Sequence, residues 1–277
     1  MINKEIVIEA VRKIINLAKI AQRDRALKPI EKTLSKEMSA AFRAHQKVFM
    51  AEFEKSGPAL FEAYPKGPVP VEGALDSAYQ ATLELFIGPI EEAAGAAIEA
   101  AAKHRRAEFS VNFAFGRKNP RAIEAIQKRA ASAVSQIDET TRVEISKIVT
   151  RGMEDGYDYQ KVARQITAKY EEFGVKVPAA RHIRNRAQLI AINEAGDAYE
   201  TGNRLVIEEM AVAGLEMEMF WSTVGDERVS DGCKNNSAVG WIPITSSFPS
   251  GHQHSPRFPG CRCATLYRRK PTPQGVK

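Results

Sequence analysis

Apolar residues recur at helical spacing over the first two thirds of the chain. Val7, Val11, Ile14, Ala18 and Ala21 lie four and three residues apart, the seam of an amphipathic helix that packs on other helices or lies on a lipid surface. A second, more polar helix is expected from about Lys28 to Phe61, with Phe42, Phe49, Phe53 and Phe61 as its apolar side. The run Tyr64-Pro65-Lys66-Gly67-Pro68-Val69-Pro70 breaks the pattern, because proline lacks a backbone N–H and fixes φ. Helical spacing resumes from Leu75 to Ile87, and Gly88-Pro89 predicts an interruption. The stretch Ala93 to Ala102 is nearly all alanine, which favours helix and lets a neighbour approach closely.

From Asn119-Pro120 a long helix is predicted to about Gly156. Ile123, Ile126, Ala130, Val134, Ile137, Thr141, Ile145 and Ile148 follow spacings of 3-4-4-3-4-4-3, an eleven-residue repeat that keeps one stripe aligned on a nearly straight helix. A shorter helix, Tyr159 to Phe173, follows, with Gly174 as its stop and Pro178 just beyond. After about Leu215 the period changes. Met217, Met219 and Trp221 alternate, as in a strand, and glycine and proline then crowd in. The expected fold class is α+β: an elongated, mainly helical N-terminal region, then a compact C-terminal module of helices and short strands. Along the chain this gives residues 1–118 as an N-terminal helical region, 119–180 as a helical spine and lead-in, 181–270 as the C-terminal module and 271–277 as a tail. Trp221, Trp241 and Tyr267 are expected to build the core of that module.

The chain has 277 residues and a mass of 30.6 kDa, room for a real hydrophobic core. A net charge of +6 adds a mild leaning towards acidic partners. No apolar run approaches the roughly 20 residues a bilayer requires. The first 21 residues are interrupted by Lys4, Glu5, Glu9, Arg12 and Lys13, so no signal peptide is read.

All three cysteines, Cys233, Cys261 and Cys263, lie near the C-terminal end. An odd, clustered set is unlike a secreted disulfide framework. Cys261 and Cys263, two apart, share one face of a strand and leave Arg262 on the other. Cys233 and His254 (or His252) would complete a Cys₃His tetrahedron suited to a structural zinc ion. The set Cys233, His254, Cys261 and Cys263 is therefore the expected metal site. Buried free thiols, or a disulfide from Cys233 to either partner, are the other uses of these residues. Arg262 offers a planar multi-donor group for a carboxylate or a carbonyl cluster.

Several segments occur in a recognisable order. A helix rich in small residues, Arg186 to Ala195 with Tyr199 and Gly202, leads to Trp221-Ser222-Thr223-Val224-Gly225-Asp226-Glu227-Arg228-Val229. Cys233, Gly240-Trp241-Ile242-Pro243 and Phe248-Pro249-Ser250-Gly251 come next, and Pro259-Gly260-Cys261-Arg262-Cys263 closes the series. From about Phe115 to Arg268 this resembles the phage Mu F-like minor head proteins, or head morphogenesis proteins. Many relatives carry Cys-x-x-Cys where this chain has Ser230-Asp231-Gly232-Cys233, and His-Pro-x-Cys-Arg-Cys where it has Phe258 to Cys263. Relatives often read Arg-Thr-Glu at Ile192-Asn193-Glu194. The resemblance implies a non-enzymatic, low-copy structural protein of a tailed bacteriophage. Its implied partners are the portal protein and inner capsid or scaffolding proteins. Its implied places are the host cytoplasm during assembly and then the capsid interior near the portal, with entry into the host alongside the DNA in some cases.

Two other readings stand beside this one. Lys103, Arg105, Arg106, Arg117, Lys118, Arg121, Lys128 and Arg129, and then Arg257, Arg262, Arg268, Arg269, Lys270 and Lys277, could contact packaged double-stranded DNA without reading its sequence. A toxin-like or nuclease enzyme would use Glu194, His252 and His254 with Cys233 as nucleophile. No Gly-x-Ser-x-Gly, phosphate-binding loop or His-Glu-x-x-His motif accompanies them.

Overall fold

The computed structural model describes residues 4–63, 71–111, 115–174 and 186–271. The proline-rich break at 64–70, Pro178 and the tail beyond 271 lie outside them. Five long helices come first: α1 (Lys4–Ala63), α2 (Glu72–Phe109), α3 (Pro120–Glu154), α4 (Tyr159–Gly174) and α5 (Arg186–Val212). They are followed by β1 (Met217–Ser222), the short α6 (Asp231–Ala238), β2 (Ile242–Pro243) and β3 (Ala264–Arg269). The fold is α+β and mainly helical, as the periodicity implied.

Two helix boundaries differ from those read in the sequence. α1 is one helix of 60 residues that runs through Pro29, and α2 runs through Pro89. A proline inside a helix removes a backbone bond and costs about 3 kcal/mol. Packing outweighs that cost here: Ile20, Leu27, Leu34, Met38, Phe42, Phe49 and Phe53 on α1 are all buried, as are Phe86, Ile90, Ala94, Ala97 and Ile98 on α2. Among the residues whose burial is described, the buried stripe of α1 begins at Ile20; Val7 of the predicted seam lies outside them. Val11 and Ile14 are 48% and 66% exposed, and Ala18 and Ala21 are exposed as well.

The eleven-residue stripe of α3 is buried from Ile126 to Ile145 and continues at Val149 and Met153; Ile123, at its start, is exposed. A one-sided stripe of this kind needs a partner along its length and leaves the opposite face polar.

By contacts, the chain forms two compact units, and neither is a continuous stretch. One comprises Met1–Ile30, Ala94–Ile126 and Ile192–Lys277; the other comprises Glu31–Ala93 and Gln127–Ala191. The second unit is helical and aromatic. Phe42 meets Phe86 and Phe173 at ring-centroid distances of 5.3 and 5.2 Å, and Phe53 meets Tyr159 at 5.2 Å. Gly57 makes the last contact possible, since a Cβ there would lie 2.3 Å from the Tyr159 ring. Within this core His45 Nδ1 lies 2.8 Å from the Tyr170 hydroxyl.

In the first unit the alanine run of α2 packs as predicted. Ala94, Ala97, Ile98, Ala101 and Ala102 are buried with Ala195, Ala198 and Tyr199 of α5. Gly202 is required there, because a Cβ would sit 2.8 Å from the Ile98 Cα. The sheet is antiparallel in the order β2-β1-β3, with Met219 opposite both Ile242 and Tyr267. Met217, Met219 and Trp221 are buried, while Glu218 and Phe220 between them are partly exposed. Trp221 and Tyr267 lie in the core beside Phe248, Cys233 and Cys263. Trp241 does not: it is half-buried, tilted against Phe220 at 5.4 Å, with the Arg268 guanidinium 4.3 Å over its ring. A cation over an indole face covers it without burying it in the core.

Candidate metal centre

Two elements bring the cysteines together. Cys233 lies in the first turn of α6. Ser230 caps that helix, and its Oγ accepts from the Cys233 N–H at 3.4 Å. Cys261 and Cys263 lie in the turn that enters β3, which begins at Ala264. They are therefore not strand residues as predicted, yet their sulfurs still converge. The three Sγ atoms lie within 4.8 Å of one another, and Cys233 and Cys261 are 3.8 Å apart. A tetrahedral zinc ion with Zn–S bonds of about 2.3 Å holds its sulfurs about 3.8 Å apart. Cys233 and Cys263 are buried, and Cys261 is partly exposed.

The electrostatics favour a thiolate at Cys261. A hydrogen bond from Cys263 is the main reason its pKa falls to about 5, with backbone N–H groups helping against burial. Cys263, the donor of that bond and itself buried, is pushed up.

The turn is fixed on several sides. Arg262 grips Asp226 with both terminal nitrogens, at 2.7 and 2.8 Å. That contact joins the Asp226-Glu227-Arg228-Val229 segment to Cys261-Arg262-Cys263, and it holds the Asp226 carboxyl below the usual range. On the main chain, Arg23 of α1 donates to the carbonyl of Cys263 at 2.6 Å and to that of Arg262 at 3.5 Å. Glu200 of α5 lies 3.5 Å from Arg23 and accepts from the Thr265 N–H at 3.4 Å and from Asn203 at 3.1 Å. Burial lifts the Glu200 carboxyl above the ordinary range against the pull of Arg23.

His254 does not belong to the thiol group. Its Nδ1 donates to the Ser255 carbonyl at 2.8 Å, and it is absent from the group of converging ligand atoms. His252 is held by Ser250, with Nδ1 3.0 Å from both its hydroxyl and its carbonyl. Glu194 is buried on α5 and accepts from Asn193 at 2.9 Å. Among the described residues, the cysteines are the one set of His, Cys, Asp and Glu with ligand atoms close enough to share an ion, and neither Glu194 nor either histidine is in it. Sequence reasoning missed Arg23 and Glu200; Asp226 lay in the quoted segment and Arg262 was expected to meet a carboxylate or a carbonyl cluster, but the two were not paired. No local pattern marks Arg23, whose partner is 240 positions away.

The geometry thus defines a small α+β module closed by a thiol cluster and an arginine–carboxylate fork. Residues 143–266, which run from within α3 into β3 and contain that module, match the family model described as phage Mu protein F like protein. Over this stretch the chain is similar to the Mu F-like proteins, in line with the resemblance read from its motifs. The match starts later in the chain than the resemblance read from Phe115. No curated protein and no solved structure matches the chain.

Proposed function

We propose that this protein is a minor head protein of a tailed bacteriophage that works with the portal protein during procapsid assembly. The carrying observation is the Mu F-like region at 143–266, whose defining segments are joined in space by the Asp226–Arg262 fork. The exposed apolar residues Val11, Ile14, Ile15 and Leu17 at the start of α1 also fit a protein that works against other proteins. No helix among the described residues is long and apolar enough to cross a membrane. Its place is the capsid interior near the portal.

The pairing of the basic residues favours this reading over one centred on DNA. Arg105 pairs with Glu108, Arg121 with Glu208 and Glu209, Arg262 with Asp226, Arg268 with Glu218 and Lys270 with Glu216. Cations already facing carboxylates release fewer counterions on meeting a phosphate backbone. Within the module, Cys233, Cys261 and Cys263 hold a structural zinc ion that staples a loop-rich segment with little regular structure of its own.

Co-expression with the portal protein of the same genome tests the assignment. The expected result is a complex that survives gel filtration. Separate elution at every salt concentration, together with salt-sensitive binding to duplex DNA, would overturn it.

A further inference from the structure

The thiol turn has few anchors of its own. Cys261 and Cys263 precede β3, and the local backbone bond is from the Cys261 N–H to the Phe258 carbonyl at 3.0 Å. Arg23 supplies what the turn lacks. Its side chain is 12% exposed, and it donates to the carbonyl oxygens of two successive residues of the turn while lying against Glu200 and Asp24. A guanidinium carries five N–H donors in one rigid plane, so it can serve two carbonyls and two carboxylates at once; an ammonium cannot reproduce that fork. Arg23 sits inside a continuous helix and outside the matched region 143–266, so the clamp on the module comes from elsewhere in the chain.

We infer that Arg23 is a positioning residue for the thiol site: by holding the Arg262 and Cys263 carbonyls it keeps Cys261 and Cys263 turned towards Cys233. This rests on reading the three thiols as a site for a thiophilic metal. Residues that orient ligands without touching the metal typically change its affinity by about 10- to 100-fold. Arg262, whose side chain faces Asp226, and Glu200, which takes Arg23 on one side and the Thr265 N–H on the other, belong to the same support.

The test uses the full chain and its Arg23→Lys, Arg23→Met and Arg25→Met variants, Arg25 being an exposed control on the same helix. Cadmium is titrated while the thiolate-to-metal charge-transfer band is followed. The wild-type and Arg25→Met proteins are expected to take one ion per chain with equal affinity. Both Arg23 variants are expected to bind it roughly tenfold or more weakly. Arg23→Lys keeps the charge and much of the length, so it carries the test if Arg23→Met does not fold. Unchanged affinity in a folded Arg23→Lys protein would overturn the inference.

A second readout separates this inference from the metal reading. A trivalent phenylarsenical, which bridges converging thiols, is expected to cross-link the wild-type cysteines faster than those of Arg23→Lys. If the wild-type protein takes no cadmium, the metal reading fails. The arsenical rates then decide the role of Arg23, and equal rates would count against it.

Discussion

The aromatic unit and the thiol turn are held in different ways. In the unit of Glu31–Ala93 and Gln127–Ala191, large rings on regular helices fill one another's gaps, and every contributor sits at helical spacing. In the other unit, the turn at Cys261-Arg262-Cys263 is met by three side chains from three places, Arg23, Asp226 and Cys233, and Glu200 backs it through Arg23 and the Thr265 N–H. The first arrangement draws its stability from burial, which is non-directional and tolerant. The second depends on directed bonds, and losing one partner leaves the others misplaced.

Removing a ring gives the largest effect. Phe49 is fully buried, stacked on Phe53 at 5.5 Å and tilted against Tyr170 at 6.1 Å. Phe49→Ala is expected to cost about 3–5 kcal/mol in denaturant unfolding. Cadmium binding at the folded protein's thiols should be unchanged. A large loss of metal affinity would show that the two regions are not energetically separate.

Acid comes next. His45 is buried against Tyr170, and burial, followed by the charges of Arg142 and Arg186, lowers its pKa to about 4 from 6.5. The unfolded chain binds the proton first, so this contribution is present above pH ~6.5 and is lost as pH falls towards about 4. Between pH 7 and 5 the loss is about 2 kcal/mol. His45→Gln, which keeps a hydrogen-bonding group but does not titrate, should flatten that part of the profile. An unaltered slope would refute the assignment.

The smallest expected effect is at His254. Elemental analysis should find one zinc per chain in both the wild-type and His254→Ala proteins, and none in Cys261→Ser. Zinc lost on His254→Ala would return that histidine to the ligand set expected from residue chemistry.

Local order was legible in the sequence. The α3 stripe could be read because its repeat lies within one helix, and Met217, Met219 and Trp221 revealed β1 through their alternation. Cys261 and Cys263 could be paired because they are two residues apart and chemically distinctive. What could not be read depends on distance along the chain. The Lys28–Phe61 helix looks separate from the one before it, and Gly88-Pro89 looks like a break, until the packing on either side is known. The seam at Val11 and Ile14 looks buried until the helix is seen to turn Ile20 and Leu27 inward. His254 looks like a ligand until its ring is found facing the Ser255 carbonyl, and Arg23 is one of many surface-type arginines until α1 meets the turn.

Quantitative mass spectrometry of purified virions tests the central assignment most directly. The account predicts this protein in the particles, at a copy number far below that of the major capsid protein. Its absence from both virions and procapsids, with normal heads formed in a deletion strain, would contradict it.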